Sequence, residues 1–177
     1  MKPFGEDWDY GDFPLAYLIT FRTYGSWLHG DKRRSVDTHR GQNKFRSSTI
    51  KPNAKLEAKM ARNMGQQEFT LNREMRRVVV SAIKAVCQHR GYQLLAINVR
   101  SNHVHIVVSG QMKPEAIADA FKSYATRELR SNSLIAGDLK PWARGRSRRY
   151  LWKESHVERA IAYVLYEQGD TEFDMGE

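Results

Sequence analysis

The stretch NHVHIVV, residues 102–108, decides the fold, because it has the pattern of a buried strand and also carries two imidazoles. Side chains of a strand alternate between its two faces. The three even-numbered apolar residues therefore form one face, whereas His103 and His105 share the other face with Val107. The stretch predicts a strand that is buried on one face and presents two nitrogen ligands side by side on the other.

The hydrophobic pattern on either side of this strand predicts six further elements. In chain order, the prediction is a strand at 15–24, a helix that Thr70 caps and Gly91 ends, a strand at 92–100, the histidine strand at 103–109, a helix from Pro114 to about 130, a strand at 149–152 and a helix that begins with a Ser155/Glu158 capping box. Without the last helix, the order βαββαβ is that of the ferredoxin-like split βαβ plan. This is an α+β fold with helices on one face of an antiparallel sheet. The other face then needs a cover or a ligand.

The length and charge of the chain indicate its organisation and its partner. A chain of 177 residues suits a single domain, 1–177, here with a polar insertion at about 29–67 that has a weak helical pattern near 55–64. The formal net charge is +9 and the pI is about 9.8, which favours an anionic partner such as nucleic acid. A basic surface that serves only solubility is the alternative.

The cysteine content and the lack of long apolar runs indicate the compartment. Cys87 is the only cysteine, so an intrachain disulfide is excluded and a reducing environment is expected. Residues 1–13 lack the basic and apolar segments of a signal peptide. No apolar run approaches the roughly 18 residues that span a bilayer. We therefore expect a cytoplasmic protein with no membrane contact.

The last helix carries further candidates for chemistry. Its apolar residues form one stripe at helical spacing, and Tyr163 lies on the flank of that stripe, with Glu167 one turn later on nearly the same side. A phenol has a pKa near 10 and is a poor nucleophile at neutral pH. A divalent ion held by His103 and His105 can polarise a phosphate for attack by such a phenol. The alternatives are a histidine pair without metal and a tyrosine that only packs at the edge of the stripe.

The sequence around these residues resembles a family of DNA-cutting enzymes. The tripeptide HVH at 103–105 matches the His-hydrophobic-His signature of the HUH endonucleases, and the later helix with Tyr163 is similar to that of the single-tyrosine transposases of insertion sequences and REP elements. The resemblance extends from Tyr17 to about Asp170. It includes the segments LITFRTYGSW, NVRSNHVHIVV, AFKSYATREL and AIAYVLYEQGD.

The resemblance implies a metal-dependent transposase that cleaves single-stranded DNA, often at the foot of a hairpin, and transfers strands through a 5′-phosphotyrosine intermediate. His103 and His105 would bind Mg²⁺ or Mn²⁺, and Tyr163 would be the nucleophile. The family commonly has Gln or Asn four residues after the tyrosine, where this chain has Glu167, followed by Gln168. A straight helix favours Glu167 as the third ligand, and a bent helix end favours Gln168.

The resemblance leaves the nucleophile and the assembly open at two points. Tyr166, which follows Tyr163 by less than one turn, is a second candidate nucleophile. The insertion at 29–67 departs from the compact family plan. It leaves open whether the chain forms a homodimer, and hence whether the tyrosine serves the metal site of its own subunit.

Cationic and aromatic residues are interleaved in the second half of the chain, in a pattern typical of a surface that binds nucleic acid. Cationic side chains neutralise phosphates, and aromatic rings stack on bases. The candidates for DNA contact are Lys122, Arg127, Arg144, Arg146, Arg148, Arg149, Trp142 and Trp152. The two tryptophans are equally good candidates for the core.

Two other functions fit the same residues. A non-catalytic nucleic-acid-binding module on a ferredoxin-like sheet would bind in a salt-sensitive way, independently of metal and of the tyrosine. A replication initiator or relaxase of the HUH type would normally be part of a larger chain with helicase or primase segments, and none is visible in these residues.

Overall fold

The computed structural model describes residues 13–26, 35–36, 49–50 and 53–166, whose centre is an antiparallel sheet with helices on both faces. In chain order the elements are β1 (Ala16–Thr23), β2 (Ser35–Val36), β3 (Thr49–Ile50), α1 (Ala54–Arg62), α2 (Arg73–Arg90), β4 (Gln93–Val99), β5 (His103–Ser109), α3 (Pro114–Ser131), β6 (Trp142–Leu151) and α4 (Glu154–Tyr166). The four long strands lie in the order β4-β5-β1-β6. Every neighbouring pair in that sheet is antiparallel. The predicted ferredoxin-like α+β fold is confirmed.

Strand β5 lies in the interior of the sheet, between β4 and β1. Its β-branched residues favour extended backbone and pack well on a pleated surface. Val104, Ile106 and Val108 are fully buried on the face that α2 and α3 cover, as the alternation predicts. We call this side of the sheet the main core. Its largest members are Tyr17, Ile19, Phe21, Ile83, Ile106, Ile117, Phe121 and Leu129.

Helices α2 and α3 close the main core. The side chain of Asn72 accepts a hydrogen bond from the Met75 backbone and caps α2, so the cap lies two residues after the predicted cap Thr70 and the helix begins at Arg73. Gly91 ends it in the left-handed conformation, at φ 68°, as predicted. Pro114 occupies the first turn of α3, where a missing N–H costs nothing. Among the described residues, no helix is both long enough and apolar enough to cross a membrane.

Helix α4 covers part of the opposite face of the sheet. A second, smaller cluster joins them there, made of Ala16, Ala96, Val107, Leu151, Ala160 and Val164. The backbone N–H groups of His156 and Val157 donate to the Lys153 carbonyl, so the first turn begins ahead of the predicted capping box. The helix therefore starts at Glu154, and Ser155 already lies within it.

Strand β6 is longer than the sequence pattern predicted. It spans Trp142–Leu151 rather than 149–152 and pairs with β1 along the edge of the sheet. The part that the prediction missed, 142–148, lacks the apolar alternation that marks a strand. It is instead held by the backbone ladder to β1 and by ion pairs of Arg146 and Arg148 with α3, which no local pattern reveals.

The polar insertion contributes one helix to the described part of the chain. Helix α1 begins after Asn53, whose side chain accepts hydrogen bonds from two backbone N–H groups, and none of its residues is buried. Beyond it, the Gln66 side chain donates to the Lys140 carbonyl at 2.9 Å and accepts from the Lys140 N–H at 3.1 Å. The insertion is thereby joined to the segment that leads into β6. Its remaining residues at 29–34, 37–48 and 51–52 lie outside the described ranges.

Candidate active site

The face of the sheet opposite the main core carries His103 and His105, and we call it the histidine face. Strand pairing places Thr20 of β1 and Asn98 of β4 directly opposite His105, one on each side. Arg22 of β1 pairs with His103 in the same register. The alternation of β5 therefore brings both predicted metal ligands together on a support that is fixed from both neighbouring strands.

Each histidine is held through its Nδ1 atom. Asn102 Oδ1 lies 2.6 Å from Nδ1 of His103, and Thr20 Oγ1 lies 2.7 Å from Nδ1 of His105. An amide oxygen only accepts, so Nδ1 of His103 donates, and the Thr20 hydroxyl can accept from His105 in the same way. An acceptor at Nδ1 leaves the lone pair on Nε2, which is how metal-binding histidines are commonly oriented. The two rings are edge to face, with centroids 4.6 Å apart.

Helix α4 places Tyr163 beside these histidines. Ala160 and Val164 bury the apolar stripe of the helix against the sheet, and Tyr163 projects from its flank. The ring of Tyr163 lies edge to face with that of His105, with centroids 5.7 Å apart. Tyr163 remains 39% exposed. The rival Tyr166 is 79% exposed. Tyr166 therefore faces solvent, away from the apolar stripe of α4.

The described residues supply part of a ligand set for a divalent ion. Two imidazoles with anchored Nδ1 atoms supply two nitrogen ligands, which suit divalent transition ions. Glu167 and Gln168, the alternative third ligands, lie beyond the residues that the structure describes. Within the described ranges, no group of three or more His, Cys, Asp or Glu side chains could hold a metal. The two histidines therefore offer two of the ligands that the predicted metal site needs, and the site itself and its third ligand stay predictions.

Two residues of the histidine face were missed by the sequence analysis. Thr20 holds His105, and Asn98 donates from Nδ2 to the backbone carbonyl of Val164 at 3.0 Å. The alternation of side chains along a strand shows which residues of that strand share a face. Only the pairing register shows that both lie beside His105, and register is not visible in one sequence.

Lys122 was predicted to contact DNA, and the structure places it inside the protein instead. Its side chain is 9% exposed, and Nζ donates to the carbonyls of Ala143, Arg144 and Gly145 at 2.9, 3.5 and 2.9 Å. Burial and the positive charge of Arg146 lower the pKa of Lys122 from 10.5 to about 8. Lys122 thus joins α3 to the start of β6.

The arginines of β6 divide between the two faces of the sheet. Arg146 forms an ion pair with Asp119 of α3 at 2.6 Å, and Arg148 forms one with Glu115 of the same helix. Arg149 pairs with Leu18 in the strand register, and Leu18 packs against the cluster under α4. Arg149 is therefore on the histidine face and is exposed.

The remaining DNA-contact candidates occupy different environments. Trp142 packs edge to face on Phe21 at 5.1 Å, which places it against the main core, whereas Trp152 is 52% exposed. Arg127 stacks over the Tyr124 ring at 4.2 Å from its centroid. Arg144 lines an open groove of about 390 Å³ between α3 and β6. Trp152 and the arginines at 127, 144, 148 and 149 are thus the exposed candidates, and of these Arg148 is paired with Glu115.

Comparison with known proteins identifies transposases. The family model described as "Transposase IS200 like" matches residues 55–162. The chain is similar to the solved structure of a REP-associated tyrosine transposase bound to a REP hairpin, at 11% identity and a TM-score of 0.47, over 93% of this chain and 72% of that one. It is also similar to a candidate transposase from Deinococcus radiodurans R1, at 11% identity and a TM-score of 0.42, over 88% of this chain and 92% of that one. Both TM-scores are too low to support a detailed comparison. No protein of curated function matches the sequence significantly.

Proposed function

Because the chain belongs to the IS200-like transposase family and is a DNA transposase, we propose that it cleaves and joins single-stranded DNA with Tyr163 as the nucleophile. One observation carries this proposal. The Tyr163 ring lies 5.7 Å from that of His105, on a helix packed against the sheet of its own chain. A phenol beside a pair of oriented imidazoles is the arrangement that metal-assisted attack on a phosphate needs.

The proposed step is a transesterification at phosphorus. The Tyr163 hydroxyl oxygen attacks the scissile phosphorus and gives up its proton, a P–O bond to the tyrosine forms, and the bond to the 3′ oxygen breaks. The leaving 3′ oxygen takes up a proton and becomes a free hydroxyl. The 5′ end of the cut strand is then held as a phosphotyrosine. Attack by another 3′-hydroxyl reverses the exchange, joins the strands and restores the phenol.

The histidines would hold a divalent ion at the scissile phosphate through their Nε2 atoms. Mg²⁺ or Mn²⁺ bound there supplies a Lewis acid that neutralises charge on the phosphate oxygens. The contacts from Asn102 and Thr20 keep both rings in the orientation that this role requires. Glu167 or Gln168 is proposed as the further ligand.

The DNA strand is proposed to approach along the histidine face. Arg149 lies on that face, and exposed Trp152 lies between β6 and the tyrosine helix. The first residue can neutralise a phosphate, and the second can stack on an unpaired base. This arrangement favours single-stranded DNA next to the site, with a hairpin as the proposed feature that positions it.

The test is a search for the covalent adduct. The protein is incubated with Mn²⁺ and a labelled hairpin oligonucleotide that carries single-stranded flanks, and adducts are resolved on a denaturing gel. Peptide mass spectrometry then identifies the modified residue. We expect an adduct on Tyr163 in the wild type and in Tyr166→Phe, and none in Tyr163→Phe or after chelation.

Two results would contradict the proposal. An adduct that persists in Tyr163→Phe and maps to Tyr166 would move the nucleophile to the outward-facing tyrosine. Salt-sensitive binding of the oligonucleotide with no adduct under any condition, and with no effect of chelator, would instead favour the non-catalytic binding module.

A further inference from the structure

A side-chain hydrogen bond joins the tyrosine helix to the sheet beside the proposed site. Asn98 Nδ2 donates to the carbonyl oxygen of Val164 at 3.0 Å. Val164 directly follows Tyr163 in α4, and Asn98 is the strand partner of His105 in β4. The bond therefore links the immediate neighbour of the nucleophile to the immediate neighbour of a metal ligand.

The carbonyl that accepts this bond lies on the same turn of α4 as Tyr163. The bond is partly buried and joins residues that are 66 positions apart in the sequence. It therefore ties this turn of the helix directly to strand β4.

The rest of the contact between α4 and the sheet is mainly apolar. Ala160 and Val164 of the helix pack with Ala16, Ala96, Val107 and Leu151 of the sheet, and partly buried apolar side chains such as Leu18 and Ile161 border them. Apolar burial depends on area and not on direction. A hydrogen bond of 3.0 Å, in contrast, fixes both the distance and the direction of the contact.

We infer that Asn98 is a positioning residue for the transfer reaction, which holds α4 so that Tyr163 stays against His105. The inference rests on the proposed function, because it concerns the nucleophile assigned there. Asn98 acts through the Val164 carbonyl. A displacement of about 1 Å at the reacting atom is enough to slow a step that depends on near-attack geometry by about a hundredfold.

The test compares Asn98→Leu, which is close in size and has no donor, with Asn98→Asp, which can only accept. Single-turnover formation of the Tyr163 adduct is measured with the hairpin oligonucleotide and Mn²⁺, and the affinities for Mn²⁺ and for DNA are measured on the same samples. We expect the adduct rate to fall about 10- to 100-fold in both variants. In Asn98→Leu, which adds no charge beside His105, both affinities should change less than about twofold. Asn98→Gln keeps the donor and should recover part of the rate.

Asn132 provides a matched control. Its Nδ2 donates to the Glu128 carbonyl at 2.8 Å near the end of α3, which is the same kind of bond to a helix carbonyl in another part of the fold. Asn132→Leu should leave the adduct rate unchanged. If the loss of any such hydrogen bond slowed the reaction by lowering the stability of the protein, Asn132→Leu and Asn98→Leu would be slowed alike.

Hydrogen exchange of the backbone amides in 160–166 gives a readout that does not depend on activity. We expect faster exchange of this segment in Asn98→Leu, with the sheet amides unchanged. If the wild type is active and Asn98→Leu and Asn98→Asp form the adduct at the wild-type rate, the inference is overturned and the proposed function is left intact. Loss of Mn²⁺ affinity in parallel with the rate would also overturn it, because the substitution would then disturb the metal site itself.

A wild type that forms no adduct on Tyr163 would refute the proposed function separately. Hydrogen exchange then tests the structural part of the inference, which is that Asn98 holds α4 against the sheet. Unchanged protection of 160–166 in Asn98→Leu would refute that part as well. If Asn98→Leu fails to fold, the same comparisons are made with Asn98→Asp and Asn98→Gln.

Discussion

Tyr163 of α4 meets His105 of β5 edge to face, with ring centroids 5.7 Å apart and ring planes at 81° to each other. Helix α4 reaches this position by packing on the sheet of its own chain, where Ala160 and Val164 are buried. One subunit therefore brings the phenol and the imidazoles together. This arrangement favours a reaction in which each chain uses its own tyrosine.

A mixing experiment tests whether the tyrosine serves its own subunit. Tyr163→Phe and His105→Ala are each expected to form no adduct. A mixture of the two should also form none, because neither chain holds both the phenol and the intact histidine pair. The measurement is adduct formation with labelled hairpin DNA after prolonged co-incubation at high protein concentration. An adduct on the His105→Ala chain would show instead that a tyrosine can act on the metal site of a partner.

The hydroxyl of Thr20 is expected to strengthen metal binding through its contact with Nδ1 of His105. Thr20→Val keeps the shape of the side chain and removes this contact, so the imidazole loses its fixed orientation. We expect Mn²⁺ affinity to fall about 10- to 100-fold, as for other outer contacts of metal-binding histidines. Calorimetric titration measures it. Thr20→Ser retains the hydroxyl and should stay close to the wild type, and an equal loss in both variants would contradict this role.

Arg149 and Arg148 are neighbours on β6 that we expect to contribute differently to DNA binding. Arg149 is exposed on the histidine face, whereas Arg148 pairs with Glu115. Arg149→Gln should reduce the slope of log affinity against log salt concentration by about 1, and Arg148→Gln should leave it nearly unchanged. The measurement is fluorescence anisotropy with labelled single-stranded DNA over a range of salt. Equal slopes for the two variants would contradict the expected difference between Arg149 and Arg148 in DNA binding.

The sequence was sufficient for the main elements because their local patterns are strong. The alternation in 102–108 determines which side of β5 faces the main core, and Gly91 ends α2 where its positive φ is favoured. His105 and Val107 on the other side are also buried, because α4 covers that part of the sheet. The angular position of Tyr163 on an amphipathic helix likewise predicted its place beside the sheet. These predictions needed only period, turn chemistry and fold plan.

The remaining features depend on tertiary contacts that no local pattern contains. The segment 142–148 of β6 has no apolar alternation, and its ion pairs are made with α3. Lys122 appears in the sequence as one more surface cation, yet three backbone carbonyls of β6 surround its ammonium group. Thr20 and Asn98 are ordinary polar residues until strand register places them beside His105.

Lys122 is expected to stabilise the fold rather than to bind DNA directly. Lys122→Met keeps most of the aliphatic stem but leaves the carbonyls of Ala143 and Gly145 without their donor. We expect the free energy of unfolding at pH 7 to fall by about 1–3 kcal/mol, measured by urea denaturation. Lys84→Met on the exposed side of α2 is the matched control and should change it by less than about 0.5 kcal/mol. Equal stability of the two variants would contradict this role.

The depressed pKa of Lys122 predicts a dependence of stability on pH. Burial, with a further contribution from Arg146 and against the opposing charge of Asp119, lowers this pKa to about 8 in the folded state, whereas the unfolded chain keeps a value near 10.5. Between these values the unfolded state binds the extra proton. The free energy of unfolding of the wild type should therefore rise with pH relative to that of Lys122→Met, by at most about 1.4 kcal/mol per pH unit. Urea denaturation of both proteins at pH 7.5, 8.5 and 9.5 measures the difference. A difference that stays constant or shrinks over this range would mean that Lys122 keeps its proton in the fold at an ordinary pKa.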